Sequence, residues 1–116
     1  MINKGEYEGY YGFSKRFLLV KQNRELGLLD WTGKLILKPQ YNDIQSLDLY
    51  HFLVRRDKSW GVVKIQDSLV VPCLYDYIAP PKGKLSVVKK DRLFGVISLS
   101  GREEIPPEYN RIILEP

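Results

Sequence analysis

"WGVVKIQDSLVVPCLYDYI", Trp60 to Ile78, holds the pattern that decides the fold. Its ending, Tyr75-Asp76-Tyr77-Ile78, recurs as Tyr41-Asn42-Asp43-Ile44 and as Tyr109-Asn110-Arg111-Ile112, with the tyrosines 34 residues apart each time. A fixed period of that size is the mark of a repeat architecture. Gly27, Gly61 and Gly95 keep the same period. Before each glycine stands a large apolar residue (Leu26, Trp60, Phe94), and after it an aliphatic pair (Leu28-Leu29, Val62-Val63, Val96-Ile97). Upstream lie Val20, Val54 and Val88, each followed by a base, Lys21, Arg55 or Lys89. Asn23, Asp57 and Asp91 form a further column, with Arg24, Lys58 and Arg92 next to them. Tyr7-Glu8-Gly9-Tyr10 lands in this register as the worn end of a preceding unit. The chain therefore reads as one domain with a degenerate leading fragment at 1–16 and units at 17–50, 51–84 and 85–116.

Inside one unit the chemistry is that of strand, tight turn, strand. Residues 85–89 are short and β-branched, Asp91-Arg92 supplies a turn, and 94–97 resumes the strand pattern. A second turn follows at Ser98-Leu99-Ser100-Gly101, matched by Asp30-Trp31-Thr32-Gly33 and by Gln66-Asp67-Ser68. A short third strand covers 35–37, 69–71 or 104–105, and Pro39, Pro72 or Pro106 is expected to end it by removing a ladder donor. No window carries the apolar stripe of an ordinary helix. The expectation is an all-β chain of tandem antiparallel β-meanders, about three strands each, stacked side by side in a solenoid-like or barrel-like array. Each unit would dock its Tyr and Ile on the next, because one meander cannot bury its own apolar face. Asp76 has Asn42 and Asn110 as counterparts, which cannot ionise, so a structural role at the turn is expected there rather than catalysis. Glycine within a strand packs nothing, so the column needs a reason. One is that the tyrosine fourteen places on lies flat over the missing side chain; the other is a bulge. The first is the preferred expectation.

The resemblance is then specific. The units resemble WG repeats, whose pattern is roughly Trp-Gly-aliphatic-aliphatic-Asp-x-x-Gly-x-x-Ile-x-Pro-x-Tyr-Asp-x-Ile. Trp60-Gly61-Val62-Val63 carries the name, Gly27-Leu28-Leu29-Asp30 with Gly33 carries the turn, and Pro39-x-Tyr41-Asn42-x-Ile44 carries the closure. About three copies are expected, with Trp60, Gly27, Gly61, Gly95, Tyr41, Tyr75, Tyr109, Asp76, Ile44, Ile78 and Ile112 as signature residues. Leu26 and Phe94 depart from the tryptophan, Cys73 from a proline and Asp67 from the turn glycine. The resemblance implies an interaction module of the kind common in bacterial proteins, and it brings no catalytic residue to carry over.

The remaining chemistry is sparse. The chain has 116 residues, 28% of them charged, and a net charge of +4, mildly basic but without the concentrated charge of a dedicated nucleic-acid binder. Its single cysteine, Cys73, excludes an internal disulfide, and with the single histidine, His51, it falls short of the common zinc sites. No cofactor is expected. Cys73 with His51 as a nucleophile and base is conceivable, yet both sit where packing explains them. The amino terminus shows no signal peptide and no apolar run is long enough for a bilayer, so a cytoplasmic protein without membrane contact is expected.

Two features could support binding. Lys21, Arg55 and Lys89 would form a basic stripe if the units stack with constant geometry. Trp31, Tyr50 and Tyr77 break the repeat register, since Ile65 and Leu99, Lys84, and Asp43 and Arg111 stand at equivalent positions. Aromatic residues that the fold does not demand are candidate contact residues. The leading expectation is a non-enzymatic protein–protein interaction module. The alternatives are a small immunity or inhibitor protein that neutralises a bacterial toxin, and nucleic-acid binding along the basic stripe. Self-association through the terminal units is a further expectation.

Overall fold

A computed structural model describes residues 7–65 and 68–114, and every regular element in them is a β-strand. The strands are β1 (Gly9–Gly12), β2 (Phe17–Gln22), β3 (Glu25–Asp30), β4 (Leu35–Tyr41), β5 (Asp43–Ser46), β6 (His51–Arg56), β7 (Ser59–Lys64), β8 (Ser68–Tyr75), β9 (Tyr77–Ile78), β10 (Leu85–Lys90), β11 (Leu93–Ser98) and β12 (Glu103–Tyr109). They form three antiparallel four-stranded sheets in meander order, β1 to β4, β5 to β8 and β9 to β12. The sheets stack into an elongated body of 48 × 26 × 19 Å. They do not close on one another, so the solenoid-like form of the expectation holds and the barrel-like form is corrected.

Each sheet has four strands where the sequence pointed to three. The additional strand is the one after the Tyr-Asx step: Tyr41 and Tyr75 end one sheet, and Ile44 and Ile78 lie in the first strand of the next. The leading fragment is likewise β1, the first strand of the first sheet. The signature thus straddles two sheets, and each sheet begins before the unit boundaries drawn at 17, 51 and 85.

The hairpin turns follow from the Asx column. Gln22 pairs with Glu25 and Lys90 with Leu93, leaving two residues in each loop. Asn23 and Arg24 have φ of 52° and 66°, Asp91 and Arg92 of 52° and 71°; in the second sheet Asp57 has φ of 57°. Two successive left-handed residues make the turn whose twist matches the flanking strands, and Asn and Asp tolerate that conformation best. The turns at 30–33 and 98–101 instead use Gly33 (φ 96°) and Gly101 (φ 97°). The third turn of this kind, expected at Gln66-Asp67-Ser68, falls partly outside the described residues.

Glycine 27, 61 and 95 mark bulges, and the ring-over-glycine expectation is corrected. On β3, Leu26 pairs with Tyr41 and Leu28 with Leu37, so the single residue Gly27 faces three residues of β4. The other two sheets repeat this at Trp60–Tyr75 with Val62–Val71, and at Phe94–Tyr109 with Val96–Ile105. The bulged backbone presses on the glycine. A Cβ on Gly27 would stand 2.5 Å from the carbonyl oxygen of Leu37, one on Gly61 2.5 Å from that of Val71, and one on Gly95 would collide with that of Ile105. Strands β4, β8 and β12 also run through their prolines instead of ending there, because the bulge asks no ladder donor of them.

The aliphatic pairs after each glycine serve two faces. In the second sheet Phe52, Val54 and Val63 pack towards Phe17, Leu28, Leu37 and Tyr41 of the first. From the opposite face, Leu53, Val62, Val71 and Tyr75 pack towards Ile78, Val88 and Ile97 of the third. A sheet covered on both sides reads as near-continuous apolar sequence, as Phe52-Leu53-Val54 does. Tyr41 and Tyr75 are 3% and 5% exposed in these seams, and the Tyr75 hydroxyl donates to Glu103 across the second seam at 2.6 Å. Burial, and then the Glu103 carboxylate, push its phenol pKa well above the usual value.

The Asx residue closes each seam. The backbone N–H of Asp57 donates to Asn42 Oδ1 at 2.6 Å, that of Asp91 to Asp76 Oδ2 at 2.9 Å, and that of Asn23 to Glu8 Oε1 at 3.0 Å. Each side chain therefore holds the hairpin turn of the sheet that follows it.

Gly61→Ala is expected to lower unfolding free energy in urea by about 2–3 kcal/mol, since the new Cβ meets backbone. Gly12→Ala, which adds a Cβ into open space, should stay within about 0.5 kcal/mol. Asp76→Ala is expected to cost about 1 kcal/mol in the same assay through the lost turn contact.

Candidate functional site

The sequence proposed two kinds of binding residue, and the fold disposes of them differently. Lys21, Arg55 and Lys89 do occupy equivalent places, each pairing with the residue before the column glycine. All three are half-buried. The Arg55 guanidinium lies 5.8 Å from the Trp60 ring centroid and the Lys89 ammonium 5.5 Å from that of Phe94. Arg55 also donates to the carbonyls of Asp57 and Asn42. Such stacking of a cation on a ring has a structural use of its own.

Trp31, Tyr50 and Tyr77 are each about half exposed. They do not form one patch. Trp31 rides on the turn after β3, whose shape is made by Asp30: its Oδ1 accepts the N–H of Thr32 (2.9 Å) and of Lys34 (3.0 Å) and the Thr32 hydroxyl (2.6 Å). The Thr32 hydroxyl foremost, then the Lys34 N–H, hold the Asp30 carboxyl below the usual carboxylate range. Tyr50 stands at the entry to β6, at the same end of the hairpins. There Asp48 Oδ1 accepts the N–H groups of Tyr50 and His51, both at 2.8 Å, and contacts His51 Nδ1 at 2.9 Å. Tyr77 pairs with Lys89, towards the opposite end.

Tyr77 does share its surroundings with another aromatic residue. It lines a groove of about 320 Å³ between the second and third sheets, together with Trp60, Leu47, Leu53, Ile78, Pro80, Pro81, Gln45 and Ser46. Leu53 and Ile78 are buried and form its floor, while Trp60 is half-buried and Tyr77 exposed. The groove arises because the bulge at Gly61 ends in the Trp60–Tyr75 pair and the chain then crosses to β9, setting Tyr77 beside the second sheet. Trp60 was expected only as a signature residue, and Leu47, Pro80 and Pro81 were not singled out. The one signal available was that Pro80-Pro81 stands where the preceding unit has Ser46-Leu47.

Residues 60–93, from this Trp60 to Leu93 at the start of β11, match the family described as WG containing repeat. Over this segment the chain is similar to a WG repeat. Its matched segment begins on β7 of the second sheet and ends on β11 of the third, so the family's unit spans the seam and contains Tyr75, Asp76, Tyr77 and Ile78. No curated protein and no solved structure matches the chain.

Within the matched segment, Cys73 lies on the bulged part of β8, with its Sγ 4.0 Å from the carbonyl oxygen of Val54. Burial raises its pKa, and the nearby Arg56 offsets this only in part. His51 is engaged by Asp48, outside that segment, and nothing brings the two together. A more open recess of about 650 Å³ lies over Cys73, lined by Tyr41, Arg56, Asp57, Lys58 and Pro72 among others. Among the described residues no group of three or more His, Cys, Asp or Glu is placed to hold a metal ion. No helix of the described residues is long and apolar enough to cross a membrane.

Folded protein is expected to react with iodoacetamide at neutral pH more slowly than urea-unfolded protein, as followed by mass spectrometry. Little of the Cys73 thiol is then thiolate, the reactive form.

Proposed function

We propose that this chain is a non-enzymatic protein-interaction module, and that it holds an extended apolar segment of its partner in the groove between the second and third sheets. One observation carries the reading: an indole and a phenol, Trp60 and Tyr77, flank an apolar floor that leads to Pro80 and Pro81. Aromatic-lined grooves suit extended segments, because flat rings give large contact area at small entropic cost. Gln45 and Ser46 on the rim supply hydrogen-bonding groups for a peptide backbone. Tyr77 is free for this work. Its equivalents in the other units are Asp43 and Arg111, so the stacking of sheets does not demand a ring there.

Nucleic-acid binding draws less support, because Arg55 and Lys89 already lie over rings of their own sheets. Trp31 and Tyr50, at the far end, would serve a second contact and are not required by this reading.

Proteins captured by the full chain from its native cell extract should be lost or weakened about tenfold by Tyr77→Ala and by Leu47→Glu, in line with the usual cost of removing a central contact. Trp31→Ala should retain them. Undiminished capture by both groove variants would refute the groove as the binding site.

A further inference from the structure

We propose that the recess of about 480 Å³ between the second and third sheets, beside the bend at 48–50 and the turn at 98–101, binds a small aromatic anion whose acidic group is held by Lys64 and Lys84. Its walls are apolar at Val70 and Leu99, while His51, Ser98 and Ser100 add polar atoms. Its size is that of an ordinary small-molecule site. The stacking of sheets does not account for the two lysines. Position 64 corresponds to Asp30 and Ser98, and both accept hydrogen bonds that shape the turn they head: Asp30 from Thr32 and Lys34, Ser98 from the N–H of Arg102 at 3.2 Å. An ammonium accepts nothing. Position 84 corresponds to Tyr50 and to Arg16, whose guanidinium donates to the Leu49 carbonyl. Neither Lys64 nor Lys84 has a hydrogen bond or an ion pair to a described residue. Two ammonium groups on one recess repel, and an anion bound there relieves the repulsion.

Asp48 is the one acid among the lining residues, and its carboxylate is occupied. It accepts the N–H groups of Tyr50 and His51 and contacts His51 Nδ1 through both oxygens, at 2.9 and 3.0 Å. That contact holds the imidazole at the recess. The first seam shows what such a ring packs against. There Phe17 stands in the place of His51 and meets Phe52 edge to face, with centroids 5.5 Å apart, and Phe13 lies 6.1 Å from Phe52 on centroids. The second seam has Leu47, His51 and Ser86 at these three places. Ser86 offers no ring to His51, so the chain lacks the aromatic partner of the first seam, and a bound aromatic group supplies it. The recess shares no lining residue with the groove of Trp60 and Tyr77, so the two readings stand or fall separately.

The test is amide NMR of the isotope-labelled full chain, titrated at fixed ionic strength with phenyl phosphate, benzoate, inorganic phosphate and benzyl alcohol in separate arms. Phenyl phosphate or benzoate should shift the Lys84, Leu99 and Ser100 signals saturably, and the tighter of the two tells whether the preferred head group is a phosphate or a carboxylate. Benzyl alcohol should move none of these signals, and inorganic phosphate should bind about tenfold more weakly than the aromatic anion. Lys64→Glu and Lys84→Glu, both at exposed positions, should each weaken the aromatic anion about tenfold. Arg24→Glu, on the hairpin turn of the first sheet, should leave the affinity unchanged. No saturable shift from either aromatic anion, equal binding of benzyl alcohol or of inorganic phosphate, or an affinity that survives both lysine variants would each overturn the proposal.

Discussion

At Gly27, Gly61 and Gly95 a backbone carbonyl of the neighbouring strand occupies the space where a side chain would begin. That contact sets much else. It lets the last strand of each sheet bulge by two residues, which delivers Tyr41, Tyr75 or Tyr109 opposite the large residue before the glycine. The bulge tolerates proline, and it turns the chain so that the Tyr-Asx step can leave one sheet and enter the next. Without the missing Cβ the tyrosine would lose its row, and the seam between sheets would lose its plug.

From that constraint the molecule is assembled by nearest-neighbour contacts only. Each sheet is held to the next by an aliphatic seam, a buried tyrosine and one side-chain clamp on a hairpin turn. Such an array has no single centre. Its middle member is covered twice and its outer members once, unless a cap or another molecule intervenes. The first sheet has its cap in Tyr7 and Tyr10. Ser86 is a flaw in the second seam: it sits fully buried where the other sheets carry Leu18 and Phe52, and its hydroxyl has no partner among the described residues. The seam tolerates it because Val88 and Ile97 on either side remain wholly buried.

Much of this was legible in the sequence, and the failures have physical causes. The period, the strand content and the turn at Asp91-Arg92 could be read directly, because each is a local property of a few residues. The column glycine was visible, but its reason was not: a missing side chain shows that something comes close, not whether it is a ring or a backbone. The sheet boundaries were also hidden. Tyr75-Asp76-Tyr77-Ile78 reads as one motif, yet the chain changes sheets within it, and only the pairing of Tyr77 with Lys89 reveals that. The same holds for the groove. Trp60 and Tyr77 were both conspicuous, one as a signature and one as an exception, but they stand on different sheets and no linear spacing joins them. The basic column was real as a column, while the rings beneath Arg55 and Lys89 emerge only from strand register.

The clamp from Asn42 to Asp57 and from Asp76 to Asp91 also limits how such a chain can vary in length. Both clamps span the same 15 residues, and the sheets they join repeat every 34. Adding or removing one whole period would keep every tyrosine in its row and every clamp opposite a turn. A change of any other size within a seam would set pegs against the wrong sockets, so lineages of this architecture are free to gain or lose modules but not fractions of one.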